Sequence, residues 1–241
     1  MNPPSPDSPA PAAPRSRFRF RFRLLPVMVA GVVIVGFCLS VWPQIAKQKK
    51  AADQVRAISN LKAIGLALQE FQSEYGRYPD ESTAITVKAA TKTNLDLSGT
   101  SSNRLFRQFL VTGLKSEKIF YAPQPGHRWG DDRFDDDAHA LEPGEVGFGY
   151  LTGEADSNAW TPTAILAVAP LVHGTPRFNP EPYRNLAPVL LKDNSVGVRS
   201  VGADGLSMRP QDPQNIFDAS APYWGGHAPV IHWAEEPVLP H

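Results

Sequence analysis

The hydrophobic pattern changes character several times along the chain. Residues 24–46, LLPVMVAGVVIVGFCLSVWPQIA, carry no charged side chain over 23 positions. At a helical rise of ~1.5 Å per residue this run reaches ~34 Å, enough to cross the hydrocarbon core of a bilayer. The pattern then becomes periodic without a break. Val55, Ile58, Leu61, Leu68, Phe71 and Tyr75 recur at steps of three, four or seven, and Ala51, Ala57, Ile64 and Ala67 fill neighbouring places. Lys50, Asp53, Lys62 and Glu70 fall between them. Such spacing predicts an amphipathic helix with one apolar stripe. Gly76 and Pro79 supply its stop signal. One helix is therefore expected from about Leu24 to about Tyr75, apolar all round at first and one-sided afterwards. The remaining chain must cover the stripe, and Gly65 reads as a mild weak point within it.

Beyond Pro79 the periodicity shortens. Residues 103–112, NRLFRQFLVT, suit a short amphipathic helix through Leu105, Phe106, Phe109 and Leu110. The rest reads as short strands between turns: 118–122 (KIFYA), 146–151 (VGFGYL), 163–169 (TAILAVA), 187–191 (APVLL) and 196–201 (VGVRSV). Lys192, Asp193, Asn194 and Ser195 have the chemistry of a hairpin turn between the last two. A long helix covered by an antiparallel sheet is an α+β architecture.

Composition sharpens the two ends. The chain has 241 residues, 24 basic and 24 acidic side chains and 24 prolines. Zero net charge argues against a protein held to nucleic acid by bulk electrostatics. Residues 1–14, MNPPSPDSPAPAAP, have no means of building a core, and read as a disordered tail. Arg15, Arg17, Arg19, Arg21 and Arg23 follow at once, interleaved with Phe18, Phe20 and Phe22. This places basic and aromatic side chains at a headgroup layer and the N-terminus in the cytoplasm, although Lys47, Lys49, Lys50, Arg56 and Lys62 on the far side nearly balance the count. A cleaved secretory signal fits less well, because the apolar run is too long for one. The single cysteine, Cys38, lies in the apolar run, so an intrachain disulfide framework is excluded.

Phe22, Leu24, Pro43, Asn60, Leu61, Ile64, Leu68, Tyr75, Gly76, Tyr78 and Pro79 together resemble the N-terminal pattern of the type IV pilins and type II secretion pseudopilins. In that family an apolar helix opens on Phe, carries a proline about twenty residues on, and continues as an amphipathic helix ending in Tyr-Gly-x-Tyr-Pro. The resemblance implies a helix laid on an antiparallel sheet, with Pro43 bending the helix where it leaves the bilayer. Two departures stand beside it. The family has glycine before that Phe, where its peptidase cuts, and glutamate four residues after it, which neutralises a neighbour's new amine. Here those places hold Arg21 and Pro26. Without cleavage at Phe22 there is no free amine in the bilayer for a glutamate to pair with, so each departure accounts for the other.

Three constellations carry candidate chemistry. Ser200-Val201-Gly202-Ala203-Asp204-Gly205, followed by Asp212 and Asp218, resembles the calcium loop of major pseudopilins. Asp204, Asp212 and Asp218 with backbone carbonyls would offer the oxygen ligands calcium takes, while a glycine turn capped by an aspartate is the plainer alternative. Residues 127–139, HRWGDDRFDDDAH, crowd five aspartates and two histidines together, which reads as a solvated loop or a contact for a basic partner before it reads as a metal site. Tyr223, Trp224, His227, His232 and Trp233 read as a tail folded back over the sheet, with a sugar platform as the rival. No nucleophile elbow, phosphate loop, zinc-protease motif or dinucleotide fingerprint occurs, so the chain is not expected to be an enzyme.

The expected organisation is a basic tail over 1–23, a membrane helix over 24–46, its amphipathic extension over 47–79 and an outer α+β domain over 80–241 with an irregular C-terminal segment. The expected role is a single-pass inner-membrane structural protein with a periplasmic or surface domain, packing with other pilin-like subunits or secretion-system components. The alternative is a membrane-tethered binding module for protein or carbohydrate. No cofactor beyond calcium, and no nucleic-acid partner, is expected.

Overall fold

The structure is a computed structural model that describes residues 24–153, 161–208 and 215–237, and within the first helix its side chains from Gln44 onward together with Met28 and Val29. Arg21, Phe22 and Asp212, and the side chains of Pro26, Pro43 and most of the expected membrane segment 24–46, lie outside what is described. Among the described residues no helix is long and apolar enough to cross a membrane. The chain divides into a unit ending at Ala46 and a second unit, Lys47–His241.

Helix α1, Leu24–Tyr75, contributes its last part to the second unit. Ala57, Leu61, Ile64, Leu68 and Phe71 are all buried there, at alternating steps of four, three, four and three. A complete burial is worth roughly 1.5–3 kcal/mol for each of the larger side chains. The stripe is shorter than the sequence implies, since Val55 is 65% exposed and faces away. Helix α1 ends at Gly76, whose φ of 77° only glycine adopts without strain.

Helix α2, Glu81–Thr91, is absent from the sequence reading because its apolar positions are sparse: only Thr83, Ala84 and Val87 are buried. Its start is nonetheless written locally. The Asp80 carboxylate accepts from the Thr83 backbone N–H at 2.7 Å, and the Asp80 N–H donates to the Thr83 hydroxyl at 2.8 Å. Helix α3, Ser102–Val111, falls where its pattern predicts. It is buried on its polar side as well, where Arg107 donates to the carbonyls of Ala140 and Asp137 at 2.9 Å each.

Six strands form one antiparallel sheet in the order β5-β4-β3-β2-β1-β6. They are β1 Gly149–Thr152, β2 Ile165–Val168, β3 Leu186–Leu191, β4 Val196–Val201, β5 Ser207–Met208 and β6 Val230–His232. One face, through Tyr150, Leu166, Ala167 and Leu190, joins the core under α1 and α3. The other, through Leu151, Ile165, Val168, Ala187 and Val189, packs on Phe178, Ile216, Phe217, Tyr223 and Trp224. Alternation along β1 and β3 thus serves two cores. The β3–β4 hairpin turns at Asn194, whose φ is 66°, and Asp193 caps Ser195 N–H at 2.9 Å.

The segment 118–122 is the clearest departure. It is expected to be a strand, but Glu117–Phe120 is a 3-10 turn. Tertiary bonds override its apolar character. The Asp132 carboxylate accepts from the Glu117 N–H at 2.9 Å, and Asn60 of α1 donates to the carbonyls of Lys118 and Tyr121 at 3.1 and 2.7 Å. Those carbonyls are therefore spent on side chains and do not join a strand ladder.

Candidate functional site

Two surface features of the second unit stand out. The first is the outward face of α1. Gln48, Ala52, Val55, Ser59, Lys62, Leu66, Gln69 and Ser73 alternate at steps of four and three, and all are exposed. They lie opposite the buried stripe, with Val55 and Leu66 at 65% and 60% exposure. Only Lys62 is charged. Small or apolar side chains at this spacing form a seam into which a second helix can pack.

The second is a cleft of about 420 Å³ whose walls come from the 124–127 loop, the 171–173 turn and the end of the 233–237 segment. A recess of about 60 Å³ adjoins it and shares Gln124, His127, Leu171, His173 and Glu236. The sheet brings these parts together. Pairing of β6 with β1 carries the chain after His232 alongside Gly147 and Gly149. A Cβ at Gly149 would meet the Leu171 Cδ1 at 2.3 Å, so glycine there lets the turn approach. The Gly144 N–H donates to the Glu235 carbonyl at 3.1 Å and anchors the third wall.

Polar groups in the cleft have defined partners. Gln124 Nε2 donates to the Gly147 carbonyl at 2.8 Å, and His173 Nδ1 bonds the Ala234 carbonyl at 2.9 Å. Burial pushes the His127 imidazole below its usual range, against the carbonyl of Pro125 and the charge of Glu236. Below the recess, His232 is spent structurally, its Nε2 2.7 Å from the Thr152 hydroxyl and its Nδ1 2.7 Å from the Thr100 carbonyl.

The described residues of the expected calcium loop are placed elsewhere. Asp204 caps its own turn, accepting from the Leu206 N–H at 3.0 Å, and Gly205 sits at φ 78° against the backbone of Phe178. The Asp218 carbonyl accepts from Ala221 N–H within the C-terminal turns. Among the described residues no group of three or more His, Cys, Asp or Glu side chains is arranged to hold a metal.

Four of the five aspartates in the run 127–139 bond to nearby groups of the same chain, and Asp135 is exposed. Asp132 pairs with Lys118 and Asp137 with Arg107, while Asp131 and Asp136 cap the backbone N–H groups of Arg133 and of Ala138 and His139. Trp129 stacks on Tyr121 at 4.4 Å and lies under the Arg56 guanidinium at 5.0 Å, which ties the loop to α1. Tyr223 and Trp224 are core side chains, and Trp224 Nε1 donates to the Ile216 carbonyl at 2.6 Å.

Of the cleft residues only His127 falls within a motif visible in the sequence. His173, Gln124 and Glu236 come from segments with no shared pattern, and tertiary pairing alone makes them neighbours. Comparison with protein-family models, curated proteins and solved structures finds no match to this chain.

Proposed function

We propose that this chain is a membrane-anchored, pilin-like structural protein, retained with its N-terminal segment uncleaved, that packs laterally through α1. Its neighbours would be other pilin-like subunits or components of a secretion or pilus-type machine. The observation that carries the reading is the exposed seam on α1: Ala52, Val55, Ser59 and Leu66 face outward on a helix whose opposite side is already covered by its own domain. A solvated helix face is ordinarily charged or polar, whereas this one exposes Val55 and Leu66, which a neighbouring helix would cover.

A photo-crosslinking side chain at Val55 or Leu66, in the full chain in its native membrane, is expected to trap a helix of a neighbouring subunit. Adducts formed only from positions on the outer domain, with none from these two, would overturn lateral assembly. The retained anchor has its own test in the intact mass of membrane-extracted protein, where a chain starting at Phe22 would refute it.

A second reading, a membrane-tethered binding module for protein or carbohydrate, is favoured by the cleft beside β6.

A further inference from the structure

Among the described residues that line the cleft, acceptors stand beside a few amide donors, and the carboxylate of Glu236 is the one acidic chain end. Gln124 spends one amide N–H on the Gly147 carbonyl, which leaves the second N–H as a donor and its Oε1 as an acceptor. His173 spends Nδ1 on the Ala234 carbonyl, so in the neutral ring Nε2 carries a lone pair. Glu236 is exposed, and its carboxylate forms no ion pair among the described residues. Three acceptors, one of them charged, therefore line a space that also takes in His127, Asn179, whose Oδ1 accepts from the Glu181 N–H at 3.0 Å, and the apolar side chains of Pro125, Leu171, Val172 and Pro237.

Among the described residues no lysine or arginine lines the cleft to hold an anion, and the acceptors are not clustered for a metal. An ammonium group fits the inventory: it carries three N–H donors and no acceptor, and its aliphatic stem buries against apolar walls while the head stays hydrogen-bonded. The volume of about 420 Å³ lies within the ~300–1,000 Å³ range of small-ligand clefts and exceeds what one side chain needs, leaving room for flanking backbone.

We propose that the cleft between the 124–127 loop, the 171–173 turn and the 233–237 segment binds a primary ammonium on an aliphatic stem, as presented by a lysine side chain of a polypeptide. Glu236 supplies the counter-charge, and Gln124 Oε1 and His173 Nε2 take the remaining N–H groups. This rests on the binding-module reading of the outer domain and is independent of assembly through α1.

The test is saturation-transfer difference NMR on the full chain in detergent micelles, with N-acetyl-lysine methylamide as probe. The expected result is a saturable signal on the probe's side-chain methylenes, lost when the probe is acetylated at its ε-amine or replaced by the norleucine analogue. Glu236→Gln is expected to weaken binding about ten-fold, the loss of one charge-assisted bond, and the residue's exposure makes the change compatible with folding. Equal signals from the lysine and norleucine probes would overturn the ammonium assignment while leaving a binding cleft. No signal from any probe would overturn both. Affinity unchanged in Glu236→Gln would remove the site from this cleft.

Discussion

Glu117 shows what a single side chain can do once tertiary structure encloses it. It is fully buried, one carboxyl oxygen accepts from the Leu141 N–H at 2.7 Å, and the other has no hydrogen-bond partner. Burial pushes its pKa from 4.5 up to about 7; the Leu141 bond opposes the shift, and the charges of Glu145, Asp131 and Asp132 add to it. A raised carboxyl pKa means that the fold prefers the protonated form. Its contribution to stability is complete below pH 4.5, declines as pH rises, and is lost above about pH 7. The loss amounts to roughly 3 kcal/mol. Glu117→Gln keeps the acceptor for Leu141 and cannot ionise. Its melting temperature is expected to match the parent's at about pH 4 and to exceed it increasingly toward pH 7, measured as the difference between the two proteins. Several aspartates shift in the opposite direction, Asp132 among them, where burial is outweighed by bonds from Lys118, Ser116 and the Glu117 N–H, so the difference and not the raw profile isolates Glu117. A gap that does not change with pH would refute buried ionisation. Nothing in the motif KSEKIF marks Glu117 as buried, because its enclosure comes from Gly130 and Leu141, which lie far along the chain.

At the scale of elements, α1 and the β3–β4 hairpin meet at a place the sequence represents only as a weak helical residue. A Cβ built at Gly65 would lie 1.9 Å from the Asn194 Oδ1 and 2.9 Å from the Leu190 Cδ1. Glycine lets the helix backbone approach the hairpin, and this offsets the helix propensity it costs. Gly65→Leu is expected to destabilise the domain by about 1–3 kcal/mol through overpacking, read in a denaturant melt. Gly65→Ala should lose less, and adding Asn194→Gly, which keeps the positive φ, should recover much of that loss. Strictly additive single-variant effects would show that the two positions do not meet. The elements themselves divide by how local their causes are. The buried stripe of α1, α3 and the β3–β4 pair were legible because periodicity and turn chemistry act over a few residues. Helix α2 has only a weak apolar pattern and owes its start to a capping pair, while 118–122 has the pattern of a strand but gives its Lys118 and Tyr121 carbonyls to Asn60.

The whole second unit is a sheet with a core on each face, and this decides the role of the C-terminal aromatics. Trp224 is 5% exposed and packs in the second core with Ile216 and Phe217. Trp224→Ala is expected to cost about 3–5 kcal/mol, measured by thermal or chemical unfolding, as removal of a large buried aromatic does. A change below about 1 kcal/mol would mean that the C-terminal layer contributes little and that its aromatics are free to serve as a surface. The same layering explains why the cleft was not visible beforehand: β6 joins the edge of a sheet whose other strands all precede it, and so delivers Glu236 to loops more than fifty residues upstream. By itself the sequence determined the features that local spacing encodes: the apolar run over 24–46, the one-sided helix ending at Tyr75, the α+β class and the β3–β4 hairpin. Only the tertiary structure decided which carbonyls side chains would claim, which carboxyl would be buried unpaired, and which distant loops would share a cleft, because those outcomes depend on contacts between segments that no short-range pattern records.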